Sequence, residues 1–356
     1  MRVFRKLLIL IVALAILAAA GAGLWLWQGL QTLKQPVALD EPVLFSVEQG
    51  TSFGRLAQKL SDDGLVSDPL WLKLYGRLNP EQTRIKAGDY ELQPGMTPLA
   101  MLDTMVQGKV KLWSVQFIEG WTFSDMRTAL ANSRRLRKET TDWTDEQVME
   151  AVGAEGQHPE GWFFPDTYMF SGSETDLDIL KRAYKRMTAV LEEEWGNREE
   201  GLPYSSPYEA LIMASIVERE TGVAYERQQV AGVFVRRLQK GMRLQTDPTV
   251  IYGMGDSYDG RIRTRDLRAY TPYNTYRIDG LPPTPIALPG RDSVHAALHP
   301  DDGDALYFVA RGDGSHTFSR TLAEHQKAVR EFQLNRREDY RSFPAPDAGA
   351  DDNEEN

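Results

Sequence analysis

Two acidic residues stand where an apolar helix should end. Glu218 and Glu220 close the stretch SPYEALIMASIVERET, residues 206–221, whose interior from Ala210 to Val217 is apolar apart from Ser215. A carboxylate leaving so dry a segment, at the end of a helix where the dipole disfavours negative charge, is expected to hold a proton toward neutral pH. That is the property a general acid needs. The same two residues also read as solvated side chains of a last helical turn. Positions i and i+2 point in different directions, so the two cannot work as a pair on one face. Spacing alone does not choose between them.

The element that positions them has clear ends. Ser206 is a good N-cap, Pro207 suits the first helical position, and Glu209 sits where a capping box wants an acid. Gly222 is the expected C-terminal cap. Other constellations carry less. His295 and His299 are the only histidine pair at i, i+4 among the five histidines, but they lack the glutamate of H-E-x-x-H and Pro300 ends their helix. No metal site and no cofactor are expected. His316, inside GDGSHTF, reads as a turn residue. Residues 50–54, GTSFG, match the nucleophile-elbow pattern G-x-S-x-G between a strand and a helix. A helix cap also wants Thr or Ser there, and the surrounding unit is too small for an α/β-hydrolase.

Composition narrows the rest. The 356 residues leave room for two or three domains, and a net charge of −10 argues against a nucleic-acid partner. The absence of cysteine excludes disulfides and thiolate chemistry. Residues 7–27 run without a charge, long enough for a hydrocarbon core of ~30 Å, with Arg2, Arg5 and Lys6 before them and Trp25 and Trp27 at the far end. The run continues past Ala18-Ala19-Ala20, which favours a retained single-pass anchor over a cleaved signal peptide. The basic flank keeps residues 1–6 cytoplasmic and sends the body outside.

Along the chain, 28–42 is a polar, proline-containing tether. Residues 43–110 read as a small unit: a strand at 43–47, helices from Phe53 and from Pro69, a strand at 86–92, and a helix from Pro98 that ends by Gly108. Residues 111–335 read as a larger mixed body. It holds a strand at 111–118, a helix capped by Thr122, a polar helix at 141–152, and an aromatic run, EGWFFPDTY, that is either core or a groove lining. A long helix at 175–195 leads to the acidic helix, another spans 224–239, and a short one lies at 294–298. ALYFVA, 305–310, reads as a buried strand, and a final helix starts at Leu322 and runs to about 337. Between Met242 and Gly290 the chain is rich in proline and in Gln, Asp, Thr, Asn and Tyr, suited to hydrogen-bonding a polar, uncharged polymer. Residues 336–356 form an acidic tail expected to be disordered. The expected fold class is α+β: one transmembrane helix, a small α/β subdomain and a larger mixed α+β domain.

ASIVERET, EGWFFPDTY, LQTDPTVIYG, TPYNTY, GLPPTPI and ALYFVARGDGSHTFSRTLAEH together resemble the MltG (YceG-like) endolytic murein transglycosylase family. The resemblance implies an inner-membrane enzyme that cuts nascent peptidoglycan strands internally and leaves 1,6-anhydro-N-acetylmuramic acid ends. It further implies that 43–110 is a LysM-like subdomain, that 111–335 is the catalytic domain, and that peptidoglycan synthases (penicillin-binding proteins) are potential partners. By the motif, the catalytic acid is the first glutamate of S-I-V-E, Glu218. Gln245, Asp247, Thr249, Tyr252, Asn274, Thr275 and Tyr276 fall where family motifs approach the cleft and are candidate substrate-binding residues. Thr284 and Leu288 depart from the family pattern, where a glycine and a small polar residue are common. Two alternatives accompany this reading: a glycan hydrolase using Glu218 with Asp247, and a non-catalytic wall-binding scaffold.

Overall fold

The computed structural model describes residues 2–334, so the expected acidic tail at 336–356 and the last residues of the final helix lie outside the described residues. The chain divides into two units, residues up to 113 with 135–137 and 169–174, and the remainder.

The first unit begins with α1 (Arg2–Thr32), of which Phe4–Thr32 is long and apolar enough to cross a membrane, with mean hydropathy 2.8. The helix runs five residues past the expected limit of the apolar run. The segment read as a tether is packed rather than free: Leu33 is 1% exposed, its carbonyl accepts the Leu99 N–H, and the Val37 N–H reaches Met96 O at 2.9 Å. Gly29 is required where α1 passes Trp71, since a Cβ there would lie 2.2 Å from the indole. Then come β1 (Val43–Val47), α2 (Phe53–Asp62), α3 (Pro69–Leu78), β2 (Gly88–Leu92) and α4 (Pro98–Gln107). β1 and β2 pair antiparallel with Phe45 opposite Tyr90, and these two rings join Leu56, Leu60, Leu72 and Leu102 in one core. Local chemistry explains the ends. Asp68 caps α3 before Pro69, while Thr97 caps α4 and Gly108 closes it at φ 75°. Ser52 accepts the Arg55 N–H at 3.4 Å, so the G-x-S-x-G match is a helix cap.

β3 (Trp113–Gln116) follows, then α5 (Phe123–Asn132), α6 (Asp145–Ala151) and β4 (Thr167–Phe170), with β3 and β4 paired to each other. Capping boxes built on Thr122 and Thr144 start α5 and α6. The body of the second unit is helical: α7 (Asp176–Gly196), α8 (Pro207–Glu220), α9 (Arg227–Gln239), α10 (Asp247–Met254), α11 (Thr264–Arg268) and α12 (Arg291–Leu298). A hairpin of β5 (Tyr307–Ala310) and β6 (His316–Ser319) precedes α13 (Leu322–Val329), after which Arg330–Leu334 is a π-helical turn. Helix α8 is the axis of this core. Met187 and Leu191 of α7, Val230 and Phe234 of α9, and Val294 and Leu298 of α12 are all buried in its cluster.

Three sequence expectations are corrected. The proline-rich segment after Met242 contains a helix, α10, because Pro248 stands in its first turn, where a missing N–H costs nothing. α8 ends on Thr221, whose N–H bonds to Val217 O, instead of on Gly222. In ALYFVA only Val309 of the strand proper is buried, so β5 is an outer ribbon and not a central strand.

Candidate active site

Burial forces α8 to carry its polar groups at one end. Ala210 through Val217 are all buried, and Ser215 inside that run is satisfied twice: its hydroxyl donates to Ile212 O at 2.7 Å and accepts the Ile286 N–H at 3.0 Å. That second bond ties the proline-rich loop to the helix. Further along the same loop, the Leu288 N–H donates to Trp121 O at 2.7 Å and Leu288 O accepts from Gly120. The Gly290 N–H then donates to Glu218 Oε2 at 2.9 Å. Three successive anchors therefore bring the backbone at 290 to the carboxylate of Glu218.

Glu218 is half-buried, and another acid faces it. Burial first, then the charge of Glu218, hold the Glu119 carboxyl above its usual range, against the pull of Arg227. Arg227 lies 4.0 Å from Glu119 and 3.1 Å from Asp292. Arg219, between the two glutamates in sequence, points elsewhere and donates to Gly120 O at 3.0 Å.

Glu220 occupies a different setting. Its Oε1 accepts the Thr246 hydroxyl, and it lines a cavity of about 370 Å³ with Arg237, Gln245, Asp247, Tyr276 and His316. Burial, then the neighbouring Asp247, push its carboxyl up to about 7. Glu220 is thus a carboxyl at this helix end raised by burial, in the direction a general acid needs. Below it Arg237 is 7% exposed and donates to Leu306 O and Leu244 O at 2.7 and 2.6 Å. His316 is a strand residue and not a turn residue; its Nδ1 lies 2.8 Å from the buried Glu226.

The candidate binding residues separate into three groups. Gln245, Asp247 and Tyr276 line the Glu220 cavity, and the Tyr276 hydroxyl donates to Asp247 Oδ1 at 2.7 Å. Gln245 has φ 53°, alone among the described non-glycine residues in being positive. Thr249, Asn274 and Thr275 are at most 1% exposed, and their polar atoms bond within the protein. Thr249 and Thr275 bond each other at 2.9 Å, and Asn274 Nδ2 donates to the carbonyls of Asp266, Leu267 and Ala269. They shape the loops and do not face an open cleft. Tyr252 faces a larger cavity, of about 1040 Å³, with Tyr273, Thr122 and Glu160.

Glu160 is the residue sequence reasoning passed over. It is 3% exposed, with Oε1 accepting the Phe123 N–H at 2.9 Å and Oε2 accepting the Tyr252 hydroxyl at 3.1 Å. Burial pushes its carboxyl up to about 7. The signal was an acid at the head of an aromatic run, GWFF, whose two phenylalanines are core residues. Trp162 stacks on Tyr208 at 5.6 Å.

These features define a mixed α+β body with two acid-walled clefts served by one loop system. The model of the YceG-like family matches residues 45–331. An endolytic murein transglycosylase of Bacillus subtilis is 31% identical over 328 residues, 86% of this chain and 90% of that protein. One of Streptococcus pneumoniae is 25% identical over 325 residues, and the chain spans 58% of its length. Among solved structures, a YceG-like protein of Listeria monocytogenes is 30% identical and superposes with a TM-score of 0.51 over 81% of this chain and 99% of that one. The chain belongs to the YceG-like family.

Proposed function

We propose that this protein is an endolytic peptidoglycan lytic transglycosylase in which Glu218 is the general acid and then the general base. The observation that carries the reading is the family match across residues 45–331, with relatives named for that activity along nearly the whole chain. Within it, Glu218 is a half-buried carboxylate at the end of a dry helix, oriented by the Gly290 N–H.

Glu218 would protonate the oxygen bridging N-acetylmuramic acid and N-acetylglucosamine while that C–O bond breaks and positive charge grows at the anomeric carbon. The carboxylate left behind takes the proton of the same muramoyl unit's C6 hydroxyl, whose oxygen closes on the anomeric carbon. The product is a 1,6-anhydro end, and no water is consumed. One carboxyl cycles through both roles, where a hydrolase of the usual kind needs two. Asp247, offered as the second acid of a hydrolase, gains no support from its position beside Glu220 and under the Tyr276 hydroxyl. A digest of peptide-free nascent glycan strands tests this directly: anhydro ends are expected, and products one water heavier would replace the transglycosylase by a hydrolase.

A second reading rests on one specific observation. Glu220 has a carboxyl pushed up to about 7 by burial and lines the cleft of polar loop residues, so it is the rival acid, and replacing each glutamate separately by glutamine decides between them. The remaining assignments follow from the same family. α1 anchors the protein in the inner membrane with the body periplasmic, and the β1–α2–α3–β2 order with an antiparallel pair suits a LysM-like glycan-contacting unit. The partners are glycan strands and the synthases that make them.

A further inference from the structure

We propose that Glu194, His295 and His299 form a binding site for a divalent transition-metal ion, zinc fitting best, where α7 meets α12. One ligand atom from each of the three lies within 4.8 Å of the others. His295 and His299 are four residues apart, the second being the C-cap of α12, so they share a face and their rings stack at 4.3 Å. His295 Nδ1 lies 2.9 Å from Glu194 Oε2. The third ligand was invisible in sequence, since it comes from a helix 101 residues away from His295.

The carboxylate is already oriented. Glu194 is 8% exposed, and its Oε1 accepts Arg291 Nη1 at 2.8 Å, which leaves Oε2 toward the histidines. Metal ligands usually have such an outer partner. Arg291 repels a cation, but Glu193 also bonds it at 2.8 Å, and Glu199 Oε1 lies 4.0 Å from His299 Nδ1. Three carboxylates against one guanidinium leave the locality negative. Two imidazoles and a carboxylate make an open zinc ligand set, and imidazole selects against magnesium and calcium. The ion would exchange the Glu194–His295 hydrogen bond for coordination and pin the C-terminal end of α12. The other end of that helix begins at Gly290, whose N–H orients Glu218. Its role is therefore to fix a helix and not to react.

The test is a zinc titration of the untagged, full-length protein in detergent after chelator treatment, with bound metal counted by elemental analysis and cobalt absorption reporting imidazole ligation. One equivalent of zinc is expected. His299→Gln should bind more than ~10-fold more weakly, since even an outer partner costs that much. This variant keeps the Glu194–His295 hydrogen bond, so a merely structural contact would leave zinc binding unchanged. Glu194→Gln supplies the same readout if His299→Gln unfolds early without metal. Absence of stoichiometric binding in the micromolar range, or equal affinity in the parent and the folded variant, overturns the site.

Discussion

Glu160 and Glu220 are held near pH 7 by burial in two different clefts, while Glu218 sits half-open against a backbone N–H. Raised folded-state values have a signed consequence. From about 4.5, the unfolded value, up to about 7, the folded protein binds more protons than the unfolded chain, so stability falls as pH rises through that window and levels off above it. Each group contributes a slope of at most about 1.4 kcal/mol per pH unit. Glu160→Gln should remove its share while its one carbonyl oxygen still accepts the Phe123 N–H and its amide donates to the Tyr252 oxygen in place of accepting from it. Urea midpoints at pH 5 and pH 8 should therefore differ less in the variant than in the parent; equal differences would contradict the burial account. Gln245 offers a second test at this scale. Its φ of 53° is natural for glycine and costly for a β-branched residue. Gln245→Gly should hold or raise the urea midpoint, and Gln245→Val should lower stability by about 1–3 kcal/mol. Equal tolerance of both would mean that the conformation is not imposed by the fold.

Helix α8 and the loop beside it act as one element through Ser215. Replacing Ser215 by alanine leaves the buried Ile286 N–H without its partner, a loss of about 1–3 kcal/mol. The same change should lower turnover by loosening the approach to Gly290, whereas Ser215→Thr, which keeps the hydroxyl, should restore part of both if the methyl is accommodated. Thermal midpoints and turnover measured together check this, and an unchanged midpoint in Ser215→Ala would break the link. Much of this scale was legible from sequence. Thr97 with Gly108, Thr122, Thr175 and Ser206 each mark a helix end by local bonding, Pro69 marks one by its fixed φ, and such local signals survive folding. α10 hides in the proline-rich segment because Pro248 and Gly253 look like breakers, yet one sits in the first turn and the other next to the end. The partition of the candidate site was not legible. Thr249, Asn274 and Thr275 carry the same polar chemistry as Gln245, Asp247 and Tyr276, and only the tertiary packing of the loops decides which face inward. Glu160 escaped for the same reason, since its partners come from Phe123 and Tyr252, far away in the chain.

For the whole molecule, the apolar α1 leads without a break into the folded first unit. The boundary matters for any soluble form. A chain starting at residue 28 keeps Gly29 against Trp71 and Leu33 in the core, whereas one starting at residue 36 loses both. The shorter form should be destabilised in its first unit by about 2–5 kcal/mol, the scale of deleting a buried leucine. Limited proteolysis should cut it within residues 36–113 well before the longer form; equal resistance would show that α1 contributes nothing to that core. The full chain should sediment with membranes and need detergent for release.

The account turns on which carboxyl at the end of α8 moves the proton. The direct measurement is anhydro-muropeptide release from nascent glycan strands by the Glu218→Gln and Glu220→Gln proteins, each first shown to be folded. Glu218→Gln should lose at least ~10²-fold in rate while Glu220→Gln keeps most of it. Near-parental turnover in Glu218→Gln, with loss in Glu220→Gln, would move the chemistry to the cleft that Glu220 lines.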